Sequence, residues 1–266
     1  GESVPVTLYL STDQSLDEDY QLFIQLLDEV GQPIGNVTTH PGWGRNPTTL
    51  WTPGAIYADE YLVRIDQPID NHAPLLATIY AGFIDPATDE DRKFLPVPAF
   101  NEANERVTPF VGQMVVEPLA QPDFGEMDVQ PVAAQFGDVI ELAGVELPSR
   151  ITATDSFTVT LLWEAISQPA TDYTVFVHLR DEVGNTIAGY DQAPAGERFP
   201  TGYWRAGDRI ISEFPLTLSS ANPGQFELWV GLYESASQGA LRLPVTDADK
   251  FDAADGEVMI GAVEVQ

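Results

Sequence analysis

Cysteine is absent from all 266 residues, which removes disulfides, thiolate metal sites and cysteine nucleophiles together. Positive charge is nearly as scarce: 12 Lys plus Arg face 41 Asp plus Glu, giving a formal net charge of -29, and lysine occurs only at Lys93 and Lys250. A nucleic-acid binder needs a basic footprint to displace counterions, so no nucleic-acid partner is expected. The same sign disfavours adhesion to an anionic membrane surface. No apolar run reaches the roughly 18 residues that a membrane-spanning helix needs, so no membrane insertion is expected of this sequence. Histidine is limited to His40, His72 and His178. No nucleophile elbow, zinc-binding His-Glu-x-x-His helix, phosphate loop or Gly-rich dinucleotide turn occurs. Neither a signal peptide nor a Met opens the chain, which starts Gly1-Glu2-Ser3 and reads as a piece of a longer polypeptide.

Hydrophobic residues make up 44% of the chain, enough for a core, while 21 Gly and 21 Pro are spread along it. Such spacing suits many short strands joined by turns and predicts an all-β fold. The most informative feature is a long-period repeat. Asp19-Tyr20-Gln21-Leu22-Phe23, Leu27-Asp28-Glu29-Val30-Gly31 and Asn46-Pro47-Thr48-Thr49-Leu50-Trp51 return as Asp172-Tyr173-Thr174-Val175-Phe176, Arg180-Asp181-Glu182-Val183-Gly184 and Phe199-Pro200-Thr201-Gly202-Tyr203-Trp204. The offset holds at 153 (204 minus 51, 172 minus 19) and then falls to 149 at Ala81-Gly82-Phe83 against Val230-Gly231-Leu232, and to 148 at Leu95-Pro96-Val97 against Leu243-Pro244-Val245. Small drifts of that kind belong to surface loops. The expected organisation is a duplication: residues 1–118 as one β-sandwich, 119–130 as a linker, with linker character extending from Glu117 to Gln130, and 131–266 as the second sandwich. The second copy carries an extra leading segment, Phe136 to Leu147, whose equivalent would precede Gly1. Either the first copy is shorter, or its first strand lies outside the sequence, and a missing strand exposes an edge.

Tyr173, Val175, Val177 and Leu179 alternate with Thr174, Phe176, His178 and Arg180, a period of two that turns the first set inward. Tyr20, Leu22, Ile24 and Leu26 repeat this. Phe23 and Phe176 break the polar face, and the Pro-Thr-x-x-Trp loop is the expected cover; His178 is expected to face solvent or that loop. Asp28 to Gly31 and Asp181 to Gly184 read as hairpin turns closed by Gly. Further strands are expected at 4–10, 57–65, 75–84 and 110–117, with counterparts at 157–163, 209–218, 226–233 and 258–265. Seven or eight short strands per copy fit an immunoglobulin-like or a jelly-roll sandwich.

The second copy, with Asp172 to Leu179 followed by Gly184, Asp191, Pro194, Pro200-Thr201, Trp204, Gly207, Gly231-Leu232-Tyr233 and Arg242-Leu243-Pro244, resembles the C-terminal, extracytoplasmic domain of bacterial membrane proteins of the family 39, mannosyltransferase-like glycosyltransferase type. The first copy departs from the pattern, with Thr38 in place of Asp191 and Lys93-Phe94 in place of Leu241-Arg242. The resemblance implies an extracytoplasmic β-sandwich accessory module without a catalytic centre.

Asp247, Asp249, Asp252 and Asp255 form an oxygen-rich stretch, as do Asp85, Asp89, Glu90 and Asp91. Calcium needs six to eight hard oxygen ligands; neither stretch has EF-hand spacing, so a solvated acidic loop is favoured, no cofactor is expected, and calcium is the alternative. The repeat sorts the tryptophans. Trp51 and Trp204 match each other, Trp163 matches Leu10, and Trp229 matches Tyr80, which marks these four as scaffold. Trp43, in Pro41-Gly42-Trp43-Gly44-Arg45, has no tryptophan counterpart, so Trp43 with His40 and Arg45 is the candidate ligand contact. The leading expectation is a non-catalytic extracytoplasmic module for spacing, domain interaction or recognition at the cell envelope, with a glycan or another envelope domain as partner. The alternative is a carbohydrate-binding module using Trp43; a carboxylate-dependent glycoside hydrolase is the third reading.

Overall fold

The computed structural model describes residues 3–67, 69–84, 96–127, 129–152, 156–218, 222–237, 241–248 and 251–266. The chain is all-β, and its helical segments are single 3-10 turns. Two compact units emerge: unit 1 comprises Gly1–Ile69 and Leu76–Val116, and unit 2 comprises Asp70–Leu75 and Glu117–Gln266.

Unit 1 holds β1 (Ser3–Leu10), β2 (Gln21–Leu27), β3 (Pro33–Thr39), β4 (Tyr57–Arg64), β5 (Leu75–Ile84), β6 (Ala99–Phe100), β7 (Arg106–Val107) and β8 (Phe110–Val116). β1 pairs with β4, a second sheet runs β3-β2-β5-β8, and β6 pairs with β7. The alternation in β2 sends Leu22, Ile24 and Leu26 into the core, each almost fully buried, because successive side chains leave opposite faces of a strand.

Unit 2 holds β9 (Gln130–Phe136), β10 (Ile140–Glu146), β11 (Arg150–Ile151), β12 (Ser156–Ala165), β13 (Tyr173–Arg180), β14 (Thr186–Gln192), β15 (Arg209–Thr217), β16 (Gly224–Glu234), β17 (Val245–Asp247), β18 (Ala253–Ala254) and β19 (Glu257–Val265). One sheet has the order β15-β12-β10-β9-β17; the other runs β11-β19-β16-β13-β14, with β18 beside β19. In immunoglobulin terms β10, β12 and β15 take the A, B and E places, and β14, β13, β16 and β19 those of C′, C, F and G. β9 and β17 extend the first sheet beyond the A place. Phe136, Trp163, Phe199, Trp204 and Phe214 fill the interior with the inward residues of β13 and β16, all buried. The stretch read as a linker belongs to this unit: Pro118 and Pro122 are buried, and the Arg209 guanidinium lies 5.2 Å from the Phe124 ring centroid.

The two units share register as well as strand order. Leu8 pairs with Asp59 and Leu10 with Tyr57; adding 153 gives the pairs Leu161 with Ser212 and Trp163 with Ile210. Hydrogen bonds repeat at the same offset. The Tyr20 and Tyr173 amides donate to the hydroxyls of Thr48 and Thr201, and the indole N–H groups of Trp51 and Trp204 donate to the carbonyls of Asn46 and Phe199. Asp28 and Asp181 each accept from the amides two and four residues on, with Gly31 and Gly184 at positive φ closing the two turns. Beyond β5 the correspondence differs from the sequence offset: the Val97 amide donates to Phe83 O as the Leu243 amide donates to Leu232 O, which sets Pro96, not a residue of the Lys93-Phe94 pair, opposite Arg242. Among the described residues, unit 1 has no strand in the places of β9 and β10.

Candidate functional site

The loop after β3 differs in character between the two units. It begins with Pro41 and passes through two left-handed residues, Gly42 (φ 62) and Trp43 (φ 57). At the same offset in unit 2 stands Gly196 with φ 60. Glycine enters this region without steric cost, whereas a bulky side chain is an outlier there. Unit 1 therefore places a tryptophan where its twin uses the residue that the backbone prefers.

Trp43 is held rather than loose. Its indole N–H donates to Glu60 O at 3.1 Å, and its ring tilts onto Tyr61 with centroids 5.7 Å apart, yet 51% of its surface stays exposed. Asp59 braces the loop from β4, accepting from the Gly42 amide at 2.9 Å and from the Tyr61 hydroxyl at 3.1 Å. Burial, with the Asp59 charge adding to it, pushes the Tyr61 hydroxyl up to about 12. Arg45 is exposed on the same loop. His40 has a different role: its Nδ1 lies 3.0 Å from Asp19 Oδ2, and its Nε2 lies 3.4 Å from Gln21 Nε2. Thus His40 faces β2 and the turn before it, while Trp43 faces β4. The supporting residues Asp59, Glu60 and Tyr61 escape a reading of the sequence, since the alternation of β4 looks the same in both copies.

Arg198, the counterpart of Arg45, shows what the equivalent position does inside unit 2. Its guanidinium pairs with the Asp70 carboxylate at 2.5 Å and donates to the carbonyls of Ala73 and Pro74 at 3.1 and 3.3 Å. The Ile211 amide donates to His72 O at 2.8 Å. A bent segment, residues 70–74, is gripped there through its carbonyls and the Asp70 carboxylate.

A second cluster lies on the outer face of the β13 sheet. Phe176 is buried, and its cover is not the Pro-Thr-x-x-Trp loop; Thr201 of that loop holds the Tyr173 amide at the start of β13 instead. The Arg242 guanidinium covers Phe176, 4.7 Å from the ring centroid, and Tyr233 stacks beside it at 6.3 Å. Arg242 in turn contacts Glu257 at 3.3 Å, and Arg180 grips the same carboxylate through two bonds of 2.6 and 2.9 Å while lying over Trp229. Gly231 is required beneath Phe176, because a Cβ there would overlap the ring. His178 packs 4.9 Å from Phe176 with Nδ1 buried and lacking a hydrogen-bond partner. Burial holds its pKa below the usual histidine range, against the opposing pull of Asp191. It is therefore a half-buried wall of this cluster, not a solvent-facing residue. The arrangement is a charge-capped aromatic, and its connectivity is that of a structural network.

Of the acidic stretch, Asp247 ends β17, Asp252 and Asp255 flank β18 and are exposed, and Asp249 lies outside the described residues, as do Asp85, Asp89, Glu90 and Asp91. Among the described residues no three His, Asp or Glu side chains gather as a metal site, and no helix is long and apolar enough to cross a membrane.

No protein-family model matches the chain, and no curated protein matches it.

Proposed function

We propose that this chain is a non-catalytic, extracytoplasmic recognition module, built by duplication of one sandwich unit, and that the Trp43 loop of unit 1 is its contact surface, with a glycan as the ligand class. One observation carries this reading: Trp43 keeps a left-handed backbone where unit 2 has Gly196, and still exposes half of its surface. Residues held in sparsely populated backbone regions cluster at functional sites. A fixed, half-exposed aromatic on a loop that also carries the exposed Arg45 suits a sugar ring, which offers an apolar face and polar edges. The extracytoplasmic placement is supported by the sequence resemblance alone.

Binding to a glycan array by the wild-type chain and its loss in Trp43→Ala is the expected result. Binding that survives Trp43→Ala would remove the loop from the site. A second reading follows from the grip of Arg198 on Asp70 to Pro74: the same loop position in unit 1 takes an acidic peptide segment, through Arg45 and the β4 backbone. A glycan array without hits, together with Arg45-dependent capture of acidic peptides, would favour this reading over the first.

A further inference from the structure

In unit 2, His178 occupies a place that suits a neutral imidazole and not a charged one. Its ring and that of Phe176 have centroids 4.9 Å apart, and it lies against the backbone of β14, where a Cβ on Gly189 would come within 2.9 Å of its Cδ2. Nδ1 is buried without a hydrogen-bond partner, and Nε2 lies 3.8 Å from Asp191 Oδ1, beyond hydrogen-bond reach. A neutral ring leaves one nitrogen bare of hydrogen, whereas imidazolium carries two N–H donors, and a buried donor without an acceptor costs the desolvation of that group. Charged groups face the ring from each neighbouring element: Arg180 on β13 itself, Asp191 on β14, Glu257 on β19 and Arg242 from the turn before β17. Each nearby carboxylate already has a donor. Glu257 is shared by the two arginines, Asp191 accepts from the Tyr233 hydroxyl at 3.2 Å, and Glu227 of β16 accepts from the Trp229 indole at 3.1 Å.

β14 is the wall of this place that gives most easily. Among the described residues its one strand partner is β13, which makes it a sheet edge, and the ladder slips between Leu179 and Arg180, passing over Ile187. An edge with a broken ladder opens at lower free energy than the middle of a sheet. The offset of 153 puts Gln25, Asn36 and Thr38 of unit 1 in the places of His178, Gly189 and Asp191. None of these three titrates, so the arrangement belongs to unit 2 alone. We propose that His178 is an acid-operated latch on β14: when the ring takes up a proton, residues 189–191 part from β13 and admit water to the imidazolium, while the rest of the sandwich stays closed. Burial holds the closed ring's pKa below the usual histidine range, and the opened ring returns to about 6.5. The opened state therefore gains as pH falls below that value, by about tenfold at most at pH 5.5, and gains nothing well above it. Exposure of this sheet edge becomes pH-dependent, and the Trp43 loop takes no part in it.

Hydrogen–deuterium exchange of the full chain at pH 7.5 and 5.5, corrected for the intrinsic pH dependence of amide exchange, tests the latch. The β14 amides are expected to exchange faster than those of β10 and β12 at both pH values, to speed up several-fold at pH 5.5, and to keep that gain unchanged in low urea, which marks a local opening. His178→Gln is expected to abolish the gain. Asp191→Asn is expected to enlarge it, because the closed ring then lacks the carboxylate that opposes the effect of burial. No gain in β14, or a gain that survives His178→Gln, would overturn the proposal. So would β14 exchange that matches β10 and β12 in rate and urea dependence, since the opening would then be global. If the His178→Gln chain does not fold, Asp191→Asn decides the matter: a response no larger than that of the wild type overturns the latch.

Discussion

Units 1 and 2 use one pairing scheme to reach different degrees of closure. In unit 2 the face behind β12 is sealed, with Trp163 and Leu162 both buried. In unit 1 the same register leaves Tyr9 exposed and Leu10 half-buried. Strand order and turn chemistry are thus set locally, by inward alternation and by paired Thr and Asp hydrogen bonds. In unit 2, β9 and β10 extend the β12 sheet and complete its closure. What the units keep in common is scaffold; what only one of them has, namely Trp43 in the first and the Arg-Glu-Arg cap in the second, is added to it.

The largest expected break in this comparison lies in unit 2's cap. Glu257→Gln leaves Arg180 and Arg242 without their shared partner, and losing one member of a buried ion pair costs about 3–5 kcal/mol. Denaturant midpoints should show it. Next, Leu161→Ala should destabilise unit 2 by about 2–5 kcal/mol, whereas Leu8→Ala, at the same register, should cost less, since its site already meets solvent. Equal losses would show that β1 is covered as well as β12. Trp204→Phe and Trp51→Phe each strand a carbonyl, at about 1–3 kcal/mol apiece; similar values would confirm that these two residues do the same job.

The response to pH separates the units further. Burial lowers the pKa of folded His178 below its unfolded value near 6.5, so between the two values the unfolded chain binds the extra proton. The contribution is complete above that unfolded value and declines as pH falls below it. Melting curves at pH 7.5 and 5.5 should show a smaller acid-induced drop for His178→Gln than for wild type. The smallest effect is expected at Trp43→Gly, which converts unit 1's loop to the unit 2 residue. Relief of the left-handed backbone offsets the lost indole hydrogen bond, leaving stability within about 1 kcal/mol while abolishing ligand contact.

Much of this was legible in the residues. The period of two in Tyr173 to Arg180 assigns four inward positions correctly, and the Asp-Glu-Val-Gly runs fall at hairpin turns. Phe176 was recognisable as an apolar residue on a polar face, but its cover was not, because Arg242 arrives from a distant loop and no local pattern encodes that approach. The short strands β11, β17 and β18 carry too few residues to show a period. The conformation of Trp43 is hidden by its own identity; it becomes visible only when the offset of 153 is carried through the loop to Gly196. The inclusion of Asp70–Leu75 in unit 2 leaves little trace in composition, since most of its contacts run through backbone carbonyls and only the Asp70 carboxylate, paired with Arg198, is specific to a side chain.

The uneven exposure of the tryptophans also equips the molecule with an optical handle. Trp51, Trp163 and Trp204 are at most 4% exposed, and Trp229 is half-buried with Arg180 over its ring, so a collisional quencher in solution reaches Trp43 most readily. A neutral quencher such as acrylamide suits this purpose, because iodide would be repelled by so acidic a surface. Emission lost to it reports mainly the state of the Trp43 loop, without a label.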